Sequence, residues 1–380
     1  GYNIDNTGTM NEMTIIPFDK GSDAYYHRIK YQELTDREYN DMLTAFYNDI
    51  GNINDPEVIY PIVGWLFTTP MKTDIMKKLD GYPMIFVHGG QGSGKTTTGR
   101  LLLRLSGYVD DKPNSCTMRP FPMLKLLSAN NGIPVLLDEF KVSDMRSDQV
   151  DSLLRFMRKS YYSEVEQKGR ADQTVEEYQL LAPMMVMGEW NIAQPALKER
   201  LLLVRFNNNV KKNDAMQIAY ERLRNLPLEG FMPRYITFCI GQNLDAWIRE
   251  ANDVINDNFQ GVSVAPRIKN NLLVMTMGIL LFKRFAADNN IAIPDVDIEL
   301  LLRSQLKNIT GSNIGYVKSA VDQLIEELGV MASNDEISID SDYKFFKENN
   351  NEYLAIAFNK IFPKFKEYAR RTDRKSTRLN

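Results

Sequence analysis

The chain has 380 residues, 43% of them hydrophobic and 25% charged, a globular composition long enough for two or three domains and at least one large core. Its net charge of −3 neither demands nor excludes nucleic acid, because cations can cluster locally on an acidic chain. No apolar run reaches the roughly 18 residues of a membrane span, so no membrane is expected as a partner. The two cysteines, Cys116 and Cys239, and two histidines, His27 and His88, argue against a disulfide framework, a zinc site or Ser-His-Asp chemistry, and point to a reducing cytoplasm.

In chain order, 1–22 reads as a polar lead-in that starts on Gly1 instead of Met, as in a fragment or processed chain, and has no signal-peptide pattern. Thr35-Asp36-Arg37-Glu38 is a capping-box signature, and Tyr39, Met42, Leu43, Phe46 and Tyr47 follow at helical spacing. Further helices are expected from Asp55-Pro56 and over 71–79. Four apolar runs read as buried strands: Pro83 to Val87, Ile133 to Leu137, Pro183 to Met187 and Leu201 to Phe206. Such runs, separated by helical stretches, are what a parallel sheet covered on both faces requires. Beyond them 214–223, 231–257 and 267–288 carry helical spacing, then 295–307 and 313–328, with short alternating runs at 336–339 and 353–358. The expected architecture is α/β. A helical N-terminal region covers 1–80, a parallel-sheet core 81–210, a helical lid 211–294 and a winged-helix-like region 295–371. The last residues, 372–380, look foreign and resemble translated sequencing-adapter sequence, so the natural protein is expected to continue; the alternative is a plain basic tail.

Gly89-Gly90-Gln91-Gly92-Ser93-Gly94-Lys95-Thr96 fits GxxxxGK[ST] at every fixed position, a match that chance gives in only about one chain in a hundred of this size. An apolar strand precedes it and a helix, opening through Thr97, follows, which is the context of a P-loop and not of a mere glycine turn. Its amides cradle the phosphates of ATP at a helix N-terminus, Lys95 reaches the β- and γ-phosphates, and the Thr96 hydroxyl binds Mg²⁺. Asp138-Glu139 ends the Val135-Leu136-Leu137 run. Carboxylates there are expected to face the loop across adjacent strands, Asp138 binding Mg²⁺ and Glu139 polarising the attacking water.

The order of P-loop, strand with Asp-Glu, strand with a polar end and helix ending in Arg before a last strand resembles AAA+ ATPases. It is most similar to the superfamily 3 and MCM-like helicases of phage, plasmid and mobile-element replication proteins. The resemblance covers 81–206. It implies a γ-phosphate sensor after the third strand, at Glu189 or Asn191, where the family usually has Asn. It also implies an arginine finger at Arg200, acting on the neighbouring subunit's γ-phosphate, with Lys198 and Arg205 as weaker candidates. The active form is then a homo-oligomer, most plausibly a hexamer. Residues 162–165 and 174–181 flank Gln167-Lys168-Gly169-Arg170-Ala171-Asp172, which reads as a hairpin with a basic tip. The resemblance places Lys168 and Arg170 on single-stranded DNA in a central pore; a solvated charged turn is the plainer alternative. Arg267, opening the 267–288 helix, is the candidate lid arginine at the nucleotide. The implied activity is a Mg-dependent ATPase driving a DNA helicase or translocase. The alternatives are an AAA+ remodelling or switch ATPase acting on a protein, a RecA-type packaging or strand-transfer motor and, more distantly, a small-molecule phosphotransferase.

Overall fold

The computed structural model describes residues 2–4, 10–13, 28–109, 112–169, 173–189, 192, 194–207, 213–259, 264–310, 320–348 and 351–371. Arg170, Asn191 and the 372–380 tail lie outside the described residues. The chain divides into two compact units, Gly1–Gly315 and Tyr316–Asn380.

In the first unit β1 (Tyr2–Ile4) and β2 (Met10–Met13) pair antiparallel. Helix α1 (Asp36–Asp49) opens on the capping box, with Thr35 Oγ1 accepting from Glu38 N and Glu38 Oε2 accepting from Thr35 N at 2.8 Å. Helix α2 (Pro56–Thr68) places Pro at its first position, where the missing N–H costs nothing. Only Lys72–Met76 of the expected 71–79 helix is α-helical (α3).

The core then runs β3 (Met84–His88), α4 (Lys95–Arg104), β4 (Asn114–Ser115), α5 (Pro120–Ser128), β5 (Val135–Phe140), α6 (Ser147–Tyr161), β6 (Val165–Gly169), β7 (Val175–Gln179), β8 (Met184–Gly188), α7 (Pro195–Lys198) and β9 (Leu201–Arg205). Five strands make one parallel sheet in the order β4-β5-β8-β3-β9. Ile85, Phe86, Val87, Leu137, Met185, Val186 and Leu202 are fully buried, each worth about 1.5–3 kcal/mol of apolar transfer. Hairpin β6–β7 stands apart from this sheet, with Val165 opposite Gln179 and Gly169 opposite Val175.

Helices α8 (Asp214–Arg224), α9 (Phe231–Ile240), α10 (Leu244–Asn258), α11 (Pro266–Asp288) and α12 (Ile298–Thr310) follow. The 231–257 stretch is two helices, not one: the chain turns at Gly241-Gln242, and the Asn243 side chain caps α10 by accepting from Ala246 N at 3.2 Å. Helix α11 packs along α2, and Phe282 meets Phe46, Tyr47 and Phe67 with ring centroids 6.5, 4.5 and 5.2 Å away. Helix α12, expected in the winged-helix-like region, lies instead against edge strand β9. Its buried Gln305 amide accepts from Leu203 N at 3.0 Å and donates to Leu203 O at 3.1 Å, standing in for a neighbouring strand.

The second unit has α13 (Ala320–Ser333), an antiparallel hairpin of β10 (Tyr343–Glu348) and β11 (Asn351–Ile356), and α14 (Phe358–Arg371). Leu328, Met331, Ile337, Ile361 and Tyr368 form its small core. The run at 353–358 falls largely on β11, but the first strand lies later than the run at 336–339 suggested, where Ile339 makes an isolated bridge to Tyr343.

Candidate functional site

Every strand of a parallel sheet delivers its following residues to the same end, and at that end the P-loop, the acidic pair and Glu189 come together. The loop leaves β3 at His88 and re-enters helix at Lys95. Gly94 sits at φ 92°, a left-handed conformation that a side chain would strain. Lys95 Nζ donates to Gly89 O at 2.7 Å and Gly90 O at 2.9 Å. Burial draws the Lys95 pKa down, against the pull of the Glu189 and Asp138 carboxylates. The Thr96 hydroxyl donates to Asp138 Oδ2 at 2.6 Å. Gln91, Thr96, Asp138, Glu139 and Glu189 line one cleft of about 730 Å³.

The acidic pair owes its presentation to a break in register. Leu137 pairs with Val186 and Phe140 with Gly188, so Asp138 and Glu139 oppose Met187 alone. In that bulge Glu139 takes φ 65°, which lets two consecutive carboxylates reach the cleft where a regular strand would send them to opposite faces. Asp138 Oδ1 accepts from Glu139 N at 2.8 Å, and Glu139 Oε2 accepts from Ser115 Oγ at 3.1 Å. The expectation that the acids face the loop across adjacent strands is corrected: β8 lies between β5 and β3. The close approach of β8 to the bulge depends on Gly188, where a Cβ would sit 2.3 Å from Phe140 O.

His88, at the root of the loop, has its pKa pushed down to about 4, first by burial and then by Arg205, Lys198 and Lys95, so it is neutral at pH 7. The residues present fit a magnesium nucleotide: a glycine loop at a helix N-terminus, an ammonium seated on that loop, and a hydroxyl–carboxylate pair of oxygen ligands suited to a hard cation.

Arg200 and Arg267 lie at the other end of the sheet. Arg200 precedes β9, and its carbonyl accepts from Met84 N at 3.2 Å, at the start of β3. That is roughly 13 Å of strand away from the loop. Its guanidinium lies 5.5 Å from the Tyr162 ring centroid and 5.8 Å from that of Tyr161. Arg267 donates to Tyr162 Oη at 3.0 Å and to Glu199 Oε2 at 3.1 Å. The expectation that Arg267 completes its own chain's nucleotide site is therefore corrected: helix α11 docks by its N-terminus beside Gly81 and Glu199, away from the loop, as the Asn270 bond to Gly81 O and the Asn271 bond to Glu199 O fix.

Lys168 lies on hairpin strand β6, and its Nζ is 3.4 Å from the Phe121 ring centroid. Arg119, Phe121, Arg146 and Lys168 line a further cavity of about 630 Å³. The sequence reading missed Arg119, Phe121 and Arg146. Arg119-Pro120-Phe121-Pro122 could have drawn attention as a cation and an aromatic held by prolines. It also missed Ser115, whose two-residue strand gives no periodic signal.

No family model matches the chain, and no curated protein matches it. Among solved structures it is similar to SCCmec type IV Cch, described as an active helicase, at 14% identity and a TM-score of 0.53, over 89% of this chain and 64% of that one. The chain thus spans less than two thirds of that protein's length. The NrS-1 C-terminal region in its A form matches at 13% identity and TM-score 0.29, over 87% of this chain and 77% of that one. JCV helicase matches at 14% and 0.33, over 74% and 66%. These last two superpose too loosely to bear on the fold. The SCCmec likeness, with the loop and strand geometry, gives the chain the fold of an α/β P-loop NTPase core.

Proposed function

We propose that the chain is a Mg-dependent ATPase that drives a helicase or translocase along DNA, as a homo-oligomeric ring, most simply a hexamer, in the replication of a phage or mobile element. The observation that carries this reading is the Thr96–Asp138 hydrogen bond with Glu139 presented beside it on the bulge. It joins phosphate loop, cation ligands and a candidate general base in one cleft. Gly89 to Thr97 would cradle the phosphates, and Lys95 would leave the loop carbonyls for the β- and γ-oxygens. Thr96 and Asp138 would hold Mg²⁺, which when bound neutralises charge on those oxygens. Glu139 would orient and deprotonate the attacking water, and Glu189, beside Lys95, would sense the γ-phosphate.

Arg200 supports the oligomer. Lying at the far end of its own sheet, it is out of reach of its own phosphate loop, which fits a finger that acts in trans on another subunit's site. The Lys168–Phe121 patch supports a single-stranded nucleic-acid track, since cations meet phosphates while an aromatic face stacks on bases of any sequence. The likeness to SCCmec Cch favours the helicase reading over the other P-loop classes.

The test is the ATPase rate with and without single-stranded DNA, on particles whose symmetry is seen by electron microscopy. Stimulated hydrolysis by closed rings is expected. Hydrolysis indifferent to DNA and to charge reversal at Lys168 would replace this reading with a remodelling ATPase that acts on a protein.

A further inference from the structure

The C-terminal turn of α6 touches both the hairpin and the segment that carries Arg200. Lys159 Nζ donates to Val165 O at 3.0 Å and to Glu166 Oε2 at 2.6 Å, and Glu164 N donates to Lys159 O at 3.0 Å, so the first hairpin strand is bolted to the helix end. On the other side Arg158 donates to Gln194 Oε1 at 3.0 Å, at the N-cap of α7. Tyr161 and Tyr162 pack edge to face at 4.9 Å and form the surface against which the Arg200 guanidinium rests. Tyr161 is fixed: it is 1% exposed, accepts from Asn270 Nδ2 at 3.2 Å, and its carbonyl accepts from Tyr82 N at 2.9 Å. Tyr162 is half-buried and has a double grip, its ring on Arg200 and its hydroxyl on Arg267. Ser163 follows at φ 49°, a left-handed turn that swings the chain into β6.

The guanidinium itself is under-held. Arg200 Nη1 donates to Ala196 O, four residues back, while Nε is buried and has no hydrogen-bond partner among the described residues. The two rings are then a principal constraint on where the planar group points. A cation over an aromatic face is attracted and keeps its orientation while its outer N–H groups stay available.

We propose that Tyr162 is a positioning residue that couples the hairpin to Arg200: its ring aims the guanidinium, its hydroxyl accepts from Arg267, and its backbone lies three residues before β6. Movement of the hairpin on a nucleic-acid strand shifts the ring and so the arginine. This rests on the reading of Arg200 as a finger for the neighbouring subunit.

The experiment measures kcat and KM for ATP, with and without a single-stranded oligonucleotide, in the full chain and in Tyr162→Phe, Tyr162→Leu and Arg200→Ala. Tyr162→Leu should cut stimulated kcat about tenfold, equivalent to about 1.4 kcal/mol, with KM within twofold, and should flatten the oligonucleotide response. Tyr162→Phe keeps the ring and should restore kcat to within about threefold, which a loss of fold would not allow. Should Arg200→Ala lose turnover while both Tyr162 variants keep the full oligonucleotide response, the coupling role is overturned and the finger stands. Should Arg200→Ala itself turn over normally, the finger reading fails first. A Tyr162→Phe as poor as Tyr162→Leu would show that the ring does not aim the arginine, and also overturns the proposal.

Discussion

Lys72 offers a prediction whose sign and size follow from its surroundings. Its side chain is 2% exposed, and Nζ donates to Leu181 O at 2.6 Å and Ala182 O at 3.3 Å, at the point where hairpin strand β7 returns toward β8. No carboxylate pairs with it among the described residues, and burial pulls its pKa from 10.5 down to about 7. The unfolded chain therefore binds more protons than the folded one between pH 7 and 10.5, and stability on this account rises with pH across that window. Equivalently, the contribution is complete above 10.5 and is lost as pH falls through 7. A tenfold difference in proton affinity between the two states is worth about 1.4 kcal/mol, so the change between pH 7 and pH 9 is about 2 kcal/mol. Lys72→Met removes the titration. Its absolute stability at pH 7 should differ little from the parent, because relief of a buried charge is offset by two carbonyls losing a donor at about 1–3 kcal/mol each. The diagnostic is the slope: unfolding free energies from urea titrations at pH 7, 8 and 9 should diverge by about 2 kcal/mol between parent and variant across that range. The buried Cys116 and Cys239 thiols, pushed up by burial, titrate alike in both chains and cancel. Parallel pH profiles would mean that Lys72 is charged and solvated at pH 7, and would refute the burial account of its titration.

Three further outcomes test the site. Glu139→Gln should bind ATP as the parent does and lose turnover by about 10²–10⁴-fold, read by nucleotide binding and phosphate release side by side. Phe121→Ala should weaken single-stranded DNA binding by about 1–3 kcal/mol at fixed salt, whereas Lys168→Ala should lower the slope of log affinity against log salt by about 0.7, so titrations at several salt concentrations separate stacking from phosphate contact. Gly188→Ala, whose Cβ would lie 2.3 Å from Phe140 O, should cost about 1–3 kcal/mol in urea unfolding and lower ATP turnover with it, since the strain falls on the bulge that presents Asp138 and Glu139.

The glycine loop was legible in the sequence because its pattern is local: the glycines, Lys95 and Thr96 belong to one strand–loop–helix unit. The Asp138-Glu139 pair was legible for the same reason, as acids closing an apolar run. What escaped was set by contacts distant in sequence. Strand order within a parallel sheet depends on how crossover helices pack, so nothing near Asp138 indicates that β8 intervenes between it and the loop. Nor does anything near Ser115 mark it as the partner of Glu139. The run at 353–358 overlaps β11, but the first hairpin strand was misplaced at 336–339 because Lys344-Phe345-Phe346-Lys347 of β10 does not alternate.

The two arginines show where the boundary falls. In a parallel sheet a residue that follows a strand lies at one end and a residue that precedes a strand lies at the other. Gly89, Asp138-Glu139 and Glu189 follow or close β3, β5 and β8; Arg200 precedes β9. Once the Leu201 run is read as a parallel strand, Arg200 is barred from its own phosphate loop by topology alone. Arg267 had no such constraint. Its place depends on how a 23-residue helix docks, and the amides that decide it, Asn270 on Gly81 O and Asn271 on Glu199 O and Leu201 O, read in the sequence only as two more polar residues in the first turns of the helix. Their Nδ2 groups donate to carbonyls at the strand ends, and that pairing sends the helix N-terminus, with Arg267, to the end of the sheet where Arg200 already stands.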